Sequence, residues 1–254
     1  MLSSEFENQV AIITGAGQGI GFAIAKALAI QGCSIVLNDV SSTAAESACN
    51  KIQNEGANCI AVSGDAGDLK CIEKIIDAAV NHFGNVTICV PNAGVTLFDN
   101  FLSFKEDSFD RVMQTNLKGG FFLAQTFAKQ VIKQKSGGSI LFLSSVTGIQ
   151  AHENLSAYGM TKAALQNLTK HLVLELSPYK IRVNAIAPGA TITERTLTEE
   201  AYEKTWAGIT PLGRAASIDD VSNAALFLLS ERAAHITGQT LVIDGGWTVT
   251  SPQP

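Results

Sequence analysis

The 254-residue sequence carries little charge and no dense run of one sign. Only 16% of its residues are charged, the formal net charge is -5, and the isoelectric point is near 5.4. No Lys/Arg stretch is dense enough to follow a phosphate backbone, so nucleic acid is not a predicted partner. The N-terminus has neither the basic region nor the apolar core of a signal peptide, and no stretch approaches ~18 uninterrupted apolar residues. These absences predict a cytoplasmic protein with no membrane partner.

Cysteine and histidine motifs are also missing. The cysteines form no Cys-x-x-Cys pair, and no histidine cluster lies beside them. Their odd number and wide spacing suit neither a zinc site nor a disulfide framework. Three of them lie in or beside strand-like runs, where a free thiol behaves as a small buried hydrophobe. We therefore predict no metal site, and inert core thiols at Cys33, Cys49, Cys59, Cys71 and Cys89.

What the sequence does contain is an alternation of short apolar runs and helical stretches. The first run, residues 9–14, is continuous and β-branched, as in a strand buried on both faces. Strands that alternate with helices of this length predict right-handed crossovers and a parallel sheet. Strands are predicted at residues 9–14, 34–38, 59–62, 86–90, 139–143, 181–186 and 240–243, and helices at 20–30, 43–55, 69–83, 106–135, 156–176, 198–206 and 218–229. The predicted fold class is α/β, a Rossmann-like doubly wound sheet of about seven parallel strands with helices on both faces.

The alternation is interrupted only once. No linker rich in proline, glycine or serine divides the chain, so residues 1–254 are predicted to form one domain. Beyond Pro188-Gly189 the pattern dissolves into a polar stretch that continues to about residue 213. Long loops in compact domains are often functional, so we predict a mobile lid at residues 189–213.

Glycines dominate the break after the first predicted strand. Residues 14–21 read Thr-Gly-Ala-Gly-Gln-Gly-Ile-Gly and directly precede a helix. Glycine permits a tight turn and a close approach of phosphate to backbone, and a helix N-terminus offers free N–H groups and the positive end of a dipole. The spacing, Gly-x-x-x-Gly-x-Gly, differs from the commoner Gly-x-Gly-x-x-Gly fingerprint. A merely tight turn is the alternative, but the position between strand and helix favours a nucleotide site.

An acidic residue ends the second predicted strand, about twenty residues after the glycines. Asp39 can hydrogen-bond both hydroxyls of an adenosine ribose, whereas a 2′-phosphate at that place would face its carboxylate. Neither Gln18 nor Val40 supplies a compensating cation. NAD is therefore the predicted cofactor in preference to NADP, and a helix or turn cap is the alternative role of Asp39.

A tyrosine and a lysine stand four residues apart in a good helix-forming context. Tyr158 and Lys162 therefore project from the same helix face about one turn apart. A free phenol has a pKa of about 10, so acid–base work near neutral pH requires a nearby cation, and Lys162 can supply it. Taken alone, this spacing is more often an ordinary amphipathic pair. Its chemistry therefore depends on the motifs around it.

In combination, these residues resemble the short-chain dehydrogenase/reductase family, in its single-domain type. The resemblance extends from about residue 9 to residue 247, nearly the whole chain. The motifs that carry it, in order, are Thr14-Gly-x-x-x-Gly-x-Gly21, Asn92-Ala-Gly94, Asn116, Ser145, Tyr158-x-x-x-Lys162, Pro188-Gly189 and Asp244-Gly-Gly246. The chain departs from the family at Pro91, where many relatives carry asparagine, and at Thr191, which is usually aliphatic. Neither departure removes a catalytic group.

The resemblance implies that a dinucleotide lies across the carboxyl ends of the strands of a single catalytic domain. It places Asp65 and the backbone of Ala66 at the adenine, uses Asn92 and Gly94 to support the sheet and the cofactor ribose, and puts Thr193 near the nicotinamide carboxamide. The complete set of cofactor residues that it implies is Gly15, Gln18, Gly19, Ile20, Gly21, Asp39, Asp65, Ala66, Asn92, Gly94, Tyr158, Lys162, Pro188, Thr191 and Thr193.

The resemblance also implies reversible hydride transfer between NAD(H) and a secondary alcohol or ketone, such as a polyol or sugar. In this reaction Tyr158 exchanges a proton with the substrate oxygen, and Lys162 supports it and holds the nicotinamide ribose. Ser145 orients the substrate oxygen, with Ser144 as the alternative serine. Asn116 would hold a water that links Lys162 to solvent.

The residues that select the substrate are less defined. Residues 95–98 and 146–154 are expected to line the pocket together with the lid. Within them, Gln150, His152 and Glu153 could recognise a polyol or sugar, or they could be solvated loop residues.

Two other functions share these motifs. The first is a 3-oxoacyl-thioester reductase that acts on acyl-carrier substrates with NADPH. The second, more remote, is a non-catalytic dinucleotide sensor, which would not need an intact Ser145, Tyr158 and Lys162. The helices from about residues 106 and 156 carry more apolar surface than one face needs, and relatives pair such helices. We therefore expect a homodimer or homotetramer.

Overall fold

A parallel β-sheet forms the centre of the structure. The computed structural model describes residues 4–199 and 201–250. Within them the strands are β1 (Val10–Ile13), β2 (Ser34–Asp39), β3 (Cys59–Ser63), β4 (Ile88–Val90), β5 (Gly138–Leu143), β6 (Ile181–Pro188) and β7 (Thr240–Ile243). They are all parallel, in the order β3-β2-β1-β4-β5-β6-β7. This architecture confirms the predicted α/β, Rossmann-like sheet of seven parallel strands.

Helices cover both faces of the sheet. In the same described residues they are α1 (Gly19–Ile30), α2 (Ser42–Asn54), α3 (Leu69–Phe83), α4 (Glu106–Val112), α5 (Gly120–Gln134), α6 (Ser156–Leu176), α7 (Tyr202–Ile209) and α8 (Ile218–Leu229). None of the helices in this part of the chain is long and apolar enough to cross a membrane.

Two predicted helices differ from the observed ones. The stretch predicted as one helix over residues 106–135 is interrupted by a π-helical segment, Met113–Gly119, between α4 and α5. The helix predicted at residues 198–206 begins later, as α7, after a short 3₁₀ turn at Thr196–Thr198. Hydrophobic periodicity does not distinguish a π segment from the α-helix around it, because both keep the same face buried.

The core lies on both sides of the sheet because successive strand residues point to opposite faces. In β1, Ala11 and Ile13 belong to the apolar cluster beneath α1 and α8, whereas Val10 and Ile12 belong to the cluster beneath α3 and α5. All four side chains are at most 4% exposed. The continuous apolar sequence of this strand is thus explained by burial on both faces.

The cysteines are part of this core. All five are free and buried, and burial raises the pKa of each thiol, so the thiols stay protonated near neutral pH. This confirms the prediction of inert core thiols. Within the described ranges, no group of three or more His, Cys, Asp and Glu side chains is arranged to hold a metal ion.

The strand order reverses direction between β1 and β4. At such a switch point the chain leaves neighbouring strands toward opposite faces, which opens a crevice at their carboxyl ends. The residues that follow β1, β4, β5 and β6 therefore meet at one edge of the sheet.

Candidate active site

Glycine is required at one position of the turn between β1 and α1 and at one position of the first turn of α1. Gly15 has a φ of +59°, and a Cβ there would lie 2.7 Å from the Cα of Ala93. A Cβ on Gly21 would collide with Nδ2 of Asn92 and lie 2.7 Å from the carbonyl oxygen of Gly15. Both glycines are therefore required by close backbone packing against the end of β4.

Asn92 joins this turn to the end of β4. Its Nδ2 donates to the carbonyl oxygens of Thr14 and Gly15, each at 2.8 Å. Its backbone N–H bonds the hydroxyl of Thr14 at 3.2 Å. The turn is consequently held in place by the neighbouring strand before any ligand binds.

Asp39 lies at the end of β2 and faces the same turn. Its carboxylate accepts the backbone N–H of Gly17 and that of Ser41, each at 3.0 Å. Asp39 therefore caps the turn. These two bonds leave lone pairs on both carboxylate oxygens, so Asp39 can still accept hydrogen bonds from a ribose. Gln18 is exposed beside it and brings no cation.

Asp65 and Ala66 follow β3, on the far side of β2. Asp65 is exposed, and its Oδ1 accepts the backbone N–H of Gly67 at 2.8 Å, whereas Ala66 is buried. Together with Asp39 they extend the site from the glycine turn along the carboxyl edge of the sheet.

The two serines after β5 have different environments. Ser144 is buried, donates to the carbonyl oxygen of Lys162 at 2.9 Å, and accepts from Nε2 of Gln166 at 2.8 Å. Ser145 is only partly buried, and its Oγ accepts the backbone N–H of Thr147 at 3.2 Å, which leaves its own proton available. Ser144 therefore fastens β5 to α6, and Ser145 is the serine with a free donor.

Lys162 is buried in α6 next to Tyr158. It is 5% exposed, and its Nζ donates to the carbonyl oxygen of Leu143 at 2.7 Å. The same Nζ lies 5.4 Å from the centroid of the Tyr158 ring. A buried ammonium with a single carbonyl acceptor retains two protons for other partners. The helical spacing thus brings the phenol and the ammonium together as predicted.

Asn116 lies in the π-helical segment between α4 and α5. Its Oδ1 accepts the backbone N–H of Val95 at 2.7 Å, and its Nδ2 donates to the carbonyl oxygen of Val95 at 2.9 Å. A Cβ built on Gly94 would lie 3.4 Å from Oδ1 of Asn116 and 3.6 Å from Nζ of Lys162. Asn116 and Lys162 therefore flank the same glycine, and Asn116 holds the irregular segment that follows β4.

The segment after β6 folds back over the site through threonines. Thr191 pairs with Ala216 as an isolated parallel bridge. The buried hydroxyl of Thr196 accepts the backbone N–H of Thr193 at 2.8 Å and lies 3.2 Å from the carbonyl oxygen of Thr191. Because β6 ends at Pro188, these bonds rather than the sheet determine the course of the lid.

A cavity of about 200 Å³ brings most of these elements together. The predicted site residues that line it are Ile20, Asn92, Gly94, Ser145, Tyr158, Lys162, Pro188, Thr191 and Thr193. Those outside it are Gly15, Gln18, Gly19, Gly21, Asp39, Asp65 and Ala66, along the carboxyl edge, and Asn116 behind Gly94. Gln150, His152 and Glu153 are exposed and do not line the cavity.

Four further cavity residues were not named individually from the sequence, but they lie in residues 95–98 and 189–213, which were expected to line the pocket. They are Thr96, Arg195, Thr196 and Tyr202. Burial raises the pKa of the Tyr202 phenol, against smaller opposing effects of a hydrogen bond to the Thr191 backbone and the charge of Arg195. The recurrence of threonine after Pro188 was a further signal, because short hydroxyl side chains commonly bond nearby backbone in irregular segments.

The geometry of the turn suits a phosphate-containing dinucleotide. Glycine allows close approach at residues 15 and 21, and the N-terminus of α1 already binds an anion, because Oε2 of Glu194 accepts the backbone N–H of Gly19 at 3.0 Å. Asp39 at the end of β2 lies on one side of this glycine turn, and the polar cavity lies on the other.

Known proteins share both this sequence and this fold. A family model described as Enoyl-(Acyl carrier protein) reductase matches residues 15–248. The chain is 35% identical over 246 residues to an L-rhamnose 1-dehydrogenase (NAD(P)(+)) of Azotobacter vinelandii, covering 94% of this chain and 96% of that protein. It is 36% identical over 239 residues to a 3-oxoacyl-acyl-carrier-protein reductase of Staphylococcus aureus, covering 93% and 96%.

A solved structure gives the same result for the fold. The chain aligns with a short-chain type dehydrogenase/reductase from Mycobacterium marinum with a TM-score of 0.92 and 30% identity, covering 97% of this chain and 98% of that one. Motifs, strand order and relatives therefore agree, and the chain belongs to the short-chain dehydrogenase/reductase family of oxidoreductases.

Proposed function

We propose that the protein is an NAD-dependent dehydrogenase of a secondary alcohol, with a polyol or sugar as its substrate class. The observation that carries this proposal is the shared cavity of Ser145, Tyr158 and Lys162, beside the crevice between β1 and β4. The similarity to L-rhamnose 1-dehydrogenase supports a sugar. Among the threonines of the cavity lining, Thr96 offers a hydroxyl partner to a polyhydroxylated molecule, whereas Thr191 and Thr193 are expected at the cofactor and Thr196 bonds to both of them.

The bound dinucleotide would supply the hydride chemistry, and the protein would handle the proton. Tyr158 would take the hydroxyl proton of the alcohol during oxidation and return it during reduction. Ser145 would donate its free proton to the substrate oxygen and fix its position. Lys162, with two protons left, would support the phenolate electrostatically and bind the nicotinamide ribose. Asn116 would keep residues 94–95 against Lys162, where a water could reach solvent.

Cofactor preference would depend on Asp39. Its carboxylate is held at the end of β2 by two backbone N–H groups, so it cannot swing away freely. A 2′-phosphate next to it would meet like charge, which disfavours NADP. Asp65 and Ala66 would contact the adenine, and Thr193 the nicotinamide carboxamide.

The alternative is a 3-oxoacyl-thioester reductase that uses NADPH, and the similarity to the S. aureus reductase supports it. One experiment separates the two. Initial rates are measured with NAD and NADP on a panel of sugars and polyols, and with NADH and NADPH on acyl thioesters. Activity only with NADPH on thioesters contradicts our proposal. Dinucleotide binding without turnover of any substrate would instead favour the sensor function.

The proton-transfer role has its own test. Tyr158→Phe should lower kcat at least ~10²-fold, because it removes the acid–base group, while the Kd for NADH stays within about twofold. Tyr179→Phe is a matched control, because Tyr179 is exposed at the other end of α6. A Tyr158→Phe variant that retains turnover would overturn the assignment.

The proposal includes one catalytic domain, a lid at residues 189–213, and assembly with a second copy of the chain. An apolar groove of about 720 Å³ lies between the π-helical segment, α5 and α6, with Leu117, Phe121 and Leu168 along it. Its walls belong to the helices expected to pair. Light scattering should give a homodimer or homotetramer, and Phe121→Asp should shift it toward the monomer. A monomeric wild-type protein would contradict this part of the proposal.

A further inference from the structure

A side chain from the lid binds the N-terminus of α1. Oε2 of Glu194 accepts the backbone N–H of Gly19 at 3.0 Å, across 175 residues of sequence. The N-cap residue, Gln18, makes no capping hydrogen bond with its own side chain. Since α1 has twelve residues, its first N–H groups and its dipole attract an anion, and the carboxylate of Glu194 is the anion that they contact.

The contact also restrains the lid. Glu194 directly follows Thr193, whose backbone N–H bonds the buried hydroxyl of Thr196. Thr196 in turn lies 3.2 Å from the carbonyl oxygen of Thr191, which is anchored to Ala216. Glu194 is therefore connected to the threonine-bonded part of the lid, residues 191–196. The hydrogen bond between Glu194 and Gly19 holds this part of the lid against the glycine turn.

We propose that Glu194 is a positioning residue that closes the lid in the cofactor-free enzyme and competes with the phosphates of the dinucleotide for the N-terminus of α1. This inference rests on the proposed dinucleotide site. Two anions at contact distance from the same amide repel each other, so Glu194 leaves Gly19 when the dinucleotide phosphates approach. The lid then moves as a consequence of cofactor binding, before the alcohol enters.

The competition predicts both the sign and the size of an effect on affinity. When only a fraction of the molecules is competent to bind, the apparent Kd equals the intrinsic Kd divided by that fraction. If Glu194 occupies Gly19 in about nine molecules of ten, its removal lowers the Kd for NADH about tenfold. A residue that only supported the fold would have the opposite effect, because its loss would weaken binding.

The test uses the full-length chain with three substitutions. Glu194→Ala removes the acceptor, and Glu194→Gln keeps its shape without the charge. Glu203→Gln is the matched control, because it removes one negative charge from α7 of the same lid, where Glu203 is exposed. Binding of NADH is followed by quenching of tryptophan fluorescence. The chain has two tryptophans, and Trp206 lies in α7 with its ring centroid 5.3 Å from that of Trp247.

A second measurement needs no cofactor. Limited digestion with trypsin reports lid opening through cleavage after Lys204, which lies in α7 next to Glu203. Glu194→Ala should be cut several-fold faster than the wild type in the absence of NADH, and Glu203→Gln at the wild-type rate.

The outcomes separate the two proposals. A Kd that falls about tenfold in Glu194→Ala and by less in Glu194→Gln, with faster digestion, supports the competition. An unchanged or raised Kd, or unchanged digestion, overturns it even when the wild type binds NADH and turns over alcohols. If the wild type binds no dinucleotide, the proposed NAD-dependent function is contradicted. The competition between Glu194 and the cofactor is then overturned as well, whatever the digestion rate.

Discussion

The turn after β1 and the lid after β6 both border the same cavity, but they are held in different ways. The turn is fixed by its neighbour strand, since Asn92 donates two bonds to it and Gly15 packs against Ala93. The start of the lid is held by hydrogen bonds among its own threonines, by the bridge of Thr191 to Ala216, and by the hydrogen bond from the N–H of Gly19 to Glu194. A preorganised turn suits the binding of a charged cofactor, and a mobile lid at residues 189–213, as proposed above, would enclose a smaller substrate afterwards.

Aromatic contacts reinforce this difference. On the lid side, the ring of Trp206 in α7 contacts that of Trp247 edge to face, with centroids 5.3 Å apart. On the turn side, the contacts are backbone hydrogen bonds with defined lengths and directions. Substitutions on the two sides should therefore differ in kind. Those in the turn should damage the fold and cofactor binding together, whereas those in the lid should leave the global fold intact and change the KM for the substrate or, at Glu194, the Kd for NADH.

The largest effect is expected from Gly21→Ala. The new Cβ would collide with Nδ2 of Asn92 and displace its bonds to Thr14 and Gly15. We expect a loss of about 2 kcal/mol or more in the free energy of unfolding and at least a tenfold rise in the Kd for NADH. Urea denaturation and fluorescence titration measure the two quantities. Wild-type affinity in this variant would show that the turn is not preorganised by Asn92.

Thr196→Val should affect the lid alone. The isosteric change removes a buried hydroxyl that bonds Thr193 and Thr191, a loss of about 1 kcal/mol that local opening of the lid can absorb. We expect the KM for the alcohol to rise several-fold, with faster amide exchange in the lid and little change in Tm. Thr205→Val, exposed on α7, is the control. An equal loss of global stability would contradict the distinction between turn and lid.

A smaller and pH-dependent effect is expected from Asp220→Asn, just beyond the lid. Asp220 caps α8 by accepting the N–H of Ser217 at 2.7 Å and pairs with Arg214 through two bonds. The bond from Arg214 and the bonds from Ser217 hold the pKa of Asp220 below its ordinary value, despite partial burial. The carboxylate therefore stabilises the fold fully above its unfolded pKa, about 4, and progressively less as the pH falls toward the folded pKa.

The expected loss for Asp220→Asn is about 1 kcal/mol at pH 7, and the difference from wild type should shrink below about pH 4. Denaturation curves at several pH values measure it. Asp219→Asn is the matched control, because Asp219 is exposed in the same helical turn. A gap that does not narrow at all between pH 7 and pH 3 would mean that shape rather than charge makes the cap.

The smallest effect is expected from Gly208→Ala. Nothing lies within 4 Å of a Cβ at this position in α7, in contrast to Gly21. Alanine should therefore stabilise the helix by about 0.5–1 kcal/mol, through helix propensity and a less flexible unfolded chain. Thermal denaturation should show an unchanged or slightly higher Tm with unchanged cofactor affinity. Loss of NADH binding would mean that lid flexibility also governs the turn.

Much of the fold was predictable because its local signals agree. The ends of α3, for example, were predicted without error: Asp68 caps its start, Gly84 in a left-handed conformation ends it, and apolar residues recur on one face. The π-helical segment around Asn116 was not predictable, since its hydrophobic pattern is that of an α-helix. The lid helix was misplaced because no strong cap marks its start.

The candidate site divides in the same way. The spacing of Tyr158 and Lys162 predicted their proximity, which the structure bears out. Their roles, and those of Ser145 and Asn116, stay predictions for the experiments above. The contact of Glu194 with Gly19 could not be foreseen, because a bond across 175 residues leaves no periodic signal.

By itself, the sequence determined the parallel sheet, the glycine turn, and the pairing of a phenol with an ammonium one helical turn away. These follow from short-range rules, namely strand burial, the steric freedom of glycine and helical periodicity. Only the tertiary structure decided that the hydroxyl of Ser144 donates to the backbone of Lys162 while that of Ser145 keeps a free proton, and that the carboxylate of Glu194 accepts a hydrogen bond at the N-terminus of α1. Both depend on segments that are distant in sequence and meet only when the sheet brings the carboxyl ends of its strands to one edge.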